Sequence, residues 1–176
     1  ANDNTAVGYY SLRNNTTGTR NSGFGRGVIA TNSTGNDNTA VGNRALQDNS
    51  TGDRNTAVGS GALDANTDGT ENTAVGYNCL SDVTTGDHNT GIGHDALENV
   101  TTGNYNTAMG RDAGRNITTG GVNLCIGHNS NDADNTTGVC AIGQFALSSN
   151  EADYNTGIGY ESLRYNTTGS NNTAVG

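Results

Sequence analysis

The chain has 176 residues with 27 glycines, no proline, no tryptophan, no lysine and a net charge of −9. An acidic chain whose eight arginines are scattered along the sequence lacks the clustered cations that a phosphate backbone requires, which argues against nucleic acid as a partner. No apolar run approaches the roughly 20 residues of a membrane-spanning helix, so no membrane insertion is expected.

From its first residues the chain repeats itself. Asn4-Thr5-Ala6-Val7-Gly8 returns letter for letter from Asn38, Asn55, Asn72 and Asn172. Variants start at Asn21, Asn89, Asn106, Asn123, Val139 and Asn155, which makes eleven copies. The glycines that close them are Gly8, Gly25, Gly42, Gly59, Gly76, Gly93, Gly110, Gly127, Gly143, Gly159 and Gly176, spaced by 17 residues seven times and then by 16, 16 and 17. A fixed period this short is the signature of a solenoid. Composition alone leans towards disorder, but a disordered chain has no need of an apolar residue at one phase of every repeat.

The repeat reads N-T-A-V-G-x-x-A-L-x-x-N-T-T-G-x-x, with Asn as position 1. Position 4 holds Val7, Phe24, Val41, Val58, Val75, Ile92, Met109, Ile126, Ile142, Ile158 and Val175. Its β-branched character predicts a strand. Position 9 holds Leu12, Ile29, Leu46, Leu63, Leu80, Leu97, Leu147 and Leu163, failing only at Gly114 and Asn131. These two columns are expected to form the core. Position 3 is always Ala, Gly or Cys, so something presses close there. The glycines at positions 5 and 15 are expected to supply positive φ or close backbone approach. Asn at position 1, present in ten of eleven copies, would stack into a ladder of amides.

Charges are absent from positions 1 to 5, 8 and 9 and gather mainly in the linkers, the expected solvated corners. Regularity fades late. The segment from Asn129 to Val139 moves its glycine to Gly138, and Ser148 to Tyr154 lose the T-T-G turn, which predicts a corner with altered loops.

The expected fold is therefore all-β: a single parallel β-solenoid over 1–176, of about eleven coils of 16–17 residues, a piece of a longer fibre. Helical repeats are excluded, because 17 residues cannot hold two helices with two glycines per turn. Two large apolar residues per coil are few against the entropy of ordering the coil, so a second buried face is expected. The small column at position 3 offers one, which favours a homotrimer with that column against its neighbours, a thin monomeric solenoid being the alternative.

The string N-T-A-V-G-Y-x-S-L-x-N-N-T-T-G resembles repeats of phage and phage-like tail-fibre proteins, which lie upstream of a self-cleaving endosialidase-type chaperone domain. It is also similar to the head repeats of trimeric autotransporter adhesins, where V-A-I-G recurs. The resemblance covers nearly the whole chain. It implies a trimeric fibre, extracellular or on a virion, attaching to a cell-surface receptor or glycan. An end-to-end filament of identical subunits is the alternative assembly.

No constellation for chemistry recurs, and neither an enzyme nor a bound cofactor is expected. Gly23-Phe24-Gly25-Arg26-Gly27 mimics a nucleotide loop but precedes no helix. His94 and His128 share a column two coils apart, roughly 9–10 Å, too far for a shared metal. Cys79, Cys125 and Cys140 stand in columns of small residues and read as fillers. Thr recurs at position 2 and before the turn glycine, and flat Thr ranks resemble ice-binding faces. Sequons at Asn15, Asn32, Asn49, Asn99, Asn116, Asn135 and Asn166 mark candidate N-glycosylation in the turn.

Overall fold

A computed structural model describes residues 2–176. It is a parallel β-solenoid whose eleven three-residue strands run from β1 (Thr5–Val7) to β11 (Thr173–Val175). They form one sheet in sequential order, and each strand pairs in parallel with the strand of the next coil. The register keeps every repeat position stacked on itself: Thr39 on Thr56, Ala40 on Ala57, Val41 on Val58. The irregular copies do not break it, since β8 (Leu124–Ile126) pairs with β9 (Cys140–Ile142) in the same phase. Hydrogen bonding between coils continues past the strands, as where the Leu46 amide donates to the Ala62 carbonyl at 2.9 Å. A ladder this continuous suits a chain without proline.

Each coil reverses direction through residues in the left-handed region. The position 5 glycines have φ between +124° and +145°, a region essentially closed to other residues. The position 15 glycines are needed for a different reason: a Cβ on Gly52 would lie 2.4 Å from the Gly69 oxygen of the next coil. The leucine column is also left-handed, with φ of +52° at Leu46 and +50° at Leu63. This conformation turns the leucine into the coil. It also explains the column's two exceptions, because Gly114 and Asn131 are the residue types that tolerate it best.

Position 9 meets the expectation for the core: Ile29, Leu46, Leu63, Leu80, Leu97 and Leu147 are fully buried, with Leu12 and Leu163 packed at the margins. Position 4 overturns it. Val7, Phe24, Val41, Val58, Val75, Ile92, Met109 and Ile158 point outward and are exposed, and Ile126 and Ile142 are half-buried on the same face. Strand neighbours face opposite ways, and the inward place belongs to Ala40, Ala57, Ala74, Ala108, Cys125 and Ala141. The coil is thin, and its interior holds two small columns, positions 3 and 8, beside the leucines. The two columns meet. A Cβ on Gly91 would come 2.5 Å from the Cys79 sulfur, and one on Gly23 would come 2.8 Å from the Ser11 hydroxyl oxygen. In these two coils position 3 shrinks for position 8 of the preceding coil, whereas a Cβ on Gly157 would meet the Leu147 side chain and the Ser162 carbonyl, each at 3.0 Å.

Candidate self-association face and polar ladders

The outward side of the sheet is built from positions 2 and 4 alone. Parallel pairing stacks eleven position 4 side chains into one stripe, roughly 48 Å long at about 4.8 Å per coil. In the middle of the stripe Val58, Val75 and Ile92 are each 37% exposed. The Thr column runs beside it, with Thr39, Thr107 and Thr173 exposed and Thr56, Thr73 and Thr90 half-exposed. Cys140 and Leu124 take Thr places in this column. All-parallel sheets are ordinarily covered on both faces, and apolar stripes of this extent are uncommon on single chains. This face is bare.

The polar ladders lie within. Asn at position 1 makes two bonds that recur coil after coil. The Oδ1 of Asn38 accepts the Asn55 amide at 2.9 Å, and the Nδ2 of Asn38 donates to the Gly52 carbonyl at 2.8 Å. A second column at position 12 converges on the same carbonyl, where Asn49 Nδ2 donates at 2.9 Å. Asn49 also donates to Asn32 Oδ1 at 2.8 Å, and Asn66 to Asn49 Oδ1 at 2.7 Å. In the next three coils the column changes together to Val83, Val100 and Ile117, all fully buried. At the junction Asn66 Oδ1 is left without a partner, because Val83 cannot donate to it.

These ladders correct part of the glycosylation reading. Asn32 and Asn49 are fully buried with their amide nitrogens engaged, and Asn15 and Asn166 are half-buried members of the same column. A glycan on any of these nitrogens would displace the ladder bonds that the nitrogen makes in the folded coil. Asn116 and Asn135 are exposed at the corner, and Asn99 is half-exposed with its Nδ2 on Asn116 Oδ1 at 3.1 Å.

An outer ladder runs along position 17, where the side chains alternate in charge. Arg20 Nε lies 2.6 Å from Asp37, Arg54 Nη2 lies 2.7 Å from Glu71, and His88 Nδ1 lies 3.0 Å from Glu71. Tyr105 stacks on His88 with ring centroids 4.8 Å apart. The hydrogen bond from Arg20 holds the Asp37 carboxyl below its ordinary range. Opposite charges 17 residues apart were the sequence signal for this column.

Cys79 and Cys125 are the buried fillers expected, and burial pushes each thiol up to about 12, far from reactive, whereas Cys140 is only half-buried in the outward Thr column. His94 and His128 do not meet. His94 instead joins Asp95 and Asp112, with one ligand atom from each within 4.8 Å of the others. This trio is where a cation could be held, but Arg111 Nε, 3.0 Å from Asp112, already supplies positive charge there. At the irregular corner Asn131 takes the leucine place, fully buried, and donates to Thr136 Oγ1 at 2.9 Å. Burial raises the neighbouring Asp132 carboxyl to about 6, with Asp112 adding to it.

No protein-family model, no curated protein and no solved structure matches the chain.

Proposed function

We propose that the chain is a rigid shaft segment of a trimeric attachment fibre, extracellular or on a virion, with no catalytic role. The observation that carries this reading is the bare Val/Ile stripe. It is continuous and uncharged, as a surface laid lengthwise against copies of itself would be. The face turned to the neighbours is thus position 4, in place of the small column that sequence reasoning assigned to them. The number three rests on the resemblance to tail-fibre and adhesin repeats. The ladders inside each coil give length and stiffness, and the polar corners remain outside for solvent, a receptor or a glycan. The mass of the native particle by light scattering, with electron microscopy of the same sample, tests this. Discrete rods of three chains are expected. Long filaments would favour end-to-end polymerisation, and a lone chain would sink the fibre reading.

A second reading is favoured by one observation. The position 2 threonines and the position 4 valines share one outward face and stack in register from coil to coil. Such a regular array of hydroxyl and methyl groups suits an ice lattice. Thermal hysteresis of the purified chain is the discriminating measurement, and its absence removes this reading.

A further inference from the structure

A cavity of about 260 Å³ opens on the side of the first three coils, away from the Val/Ile stripe. Tyr10, Arg13, Arg26, Gly27, Arg44 and Gln47 line it. The chain carries 17 acidic residues against eight arginines, so three arginines around one cavity invert the local charge. Their pairing sets the site apart further. Arg20, Arg44, Arg54, Arg111, Arg115 and Arg164 each meet a carboxylate. The other two, Arg13 and Arg26, meet none among the described residues, and both line this cavity.

The walls are held in place. The Arg13 guanidinium sits 4.3 Å from the centroid of the Tyr10 ring. Arg44 is fixed by Gln47 Oε1 at 2.9 Å and by Asp64 at 3.0 Å. Gly27 opens the notch. Tyr10, Gly27 and Arg44 occupy position 7 of successive coils with φ of +60°, +65° and +59°, so the backbone does not demand glycine there. A Cβ on Gly27 would meet only Gln47 Oε1 at 3.6 Å and Arg44 Cγ at 3.9 Å. The missing side chain leaves a gap between a tyrosine ring and a cation. Asn14 and Thr31 add an amide and a hydroxyl to the lining.

We propose that this cavity binds a sugar acid of the hexuronate type. Its carboxylate would meet the two unpaired guanidinium groups, which accept planar anions through paired N–H donors. Its ring would fill the gap at Gly27, beside the edge of Tyr10, whose two faces are held by Arg13 and Tyr9, and its hydroxyls would meet Asn14, Thr31 and Gln47. The inference does not depend on the assembly, because the cavity lies off the Val/Ile stripe.

Titration calorimetry of the native protein at low salt tests it, with glucuronate as the probe, glucose as its neutral counterpart and sulfate as an anion without the ring. Glucuronate is expected to bind at least tenfold more tightly than either control. Arg26→Gln and Gly27→Asn are each expected to weaken it at least tenfold. Gly27→Asn keeps the fold, since Asn78 occupies the same position with φ of +46°. If that variant melts early, Arg13→Gln with Arg26→Gln serves in its place. Equal binding of glucose, equal binding of sulfate, or undiminished affinity in Arg26→Gln each overturns the proposal.

Discussion

Gly59 shows what a single position can demand in a stacked fold. Its φ is +141°, and a Cβ there would come 2.1 Å from the Gly76 oxygen. Neither coil can yield, because each is pinned by the coil beyond it. Gly59→Ala is therefore expected to cost at least about 3 kcal/mol, by strain and by clash, and to lower the thermal midpoint sharply. An unchanged melt would remove the argument. The glycine columns were legible because eleven copies spelled them out. The left-handed leucines were not, since an apolar column looks the same at either sign of φ, and only Gly114 and Asn131 hinted at it. At the irregular corner a different residue sets a pH dependence. The Asp132 carboxyl titrates near 6 when folded, against roughly 4 when unfolded. The fold favours its protonated form, so this contribution to stability is full below about pH 4 and lost as pH rises through 6. Thermal melts from pH 4 to 7 should show a steeper decline for the wild type than for Asp132→Asn. Parallel curves would contradict it.

At the scale of the element, the asparagine columns behave as units whose interruptions have an address. The position 1 ladder was foreseen from ten asparagines in eleven copies. The position 12 ladder, with its block of Val83, Val100 and Ile117, was equally present in the sequence but hidden among sequons and turns. A ladder costs most when cut in its middle. Asn49→Val strips Asn32 Oδ1 of its donor and leaves Asn66 Nδ2 with the Gly69 carbonyl alone, at 3.1 Å. Asn66→Val only moves the existing orphan from Asn66 to Asn49, and Gly69 keeps its donor in Asn55 at 2.8 Å. Asn49→Val is therefore expected to cost about 1–3 kcal/mol more than Asn66→Val, the penalty of one more unpaired buried polar group. Chemical denaturation of the two variants measures it, and equal losses would show that the ladder is not cooperative at this point. The same columns explain why the core was read with the wrong face inward. Positions 3 and 4 are both uncharged, so alternation separates the faces without saying which is inside. The pairs Ser11 with Gly23 and Cys79 with Gly91, each 12 residues apart, held the answer.

The whole molecule is a rod with one uncharged side, and that side can be tested without touching the core. Val58 and Val75 pair in register at the centre of the stripe, and each points away from the coil interior. Glutamates at both places would sit roughly 4.8 Å apart. In a lone chain they would be solvated, with some mutual repulsion. In an assembly they would be pressed into an apolar seam, where a charge is strongly disfavoured unless paired, and the sheet offers no cation at position 2 or 4 to pair it. The variant Val58→Glu with Val75→Glu is thus expected to sediment as a single chain while its circular dichroism remains that of the wild type. The wild type should sediment as three. A variant that keeps the three-chain mass would show that the stripe is not the seam. A wild type that is already a single chain would end the fibre reading and leave the Thr/Val face for the thermal hysteresis measurement, in which the same two glutamates should abolish any activity by breaking the lattice of methyl groups.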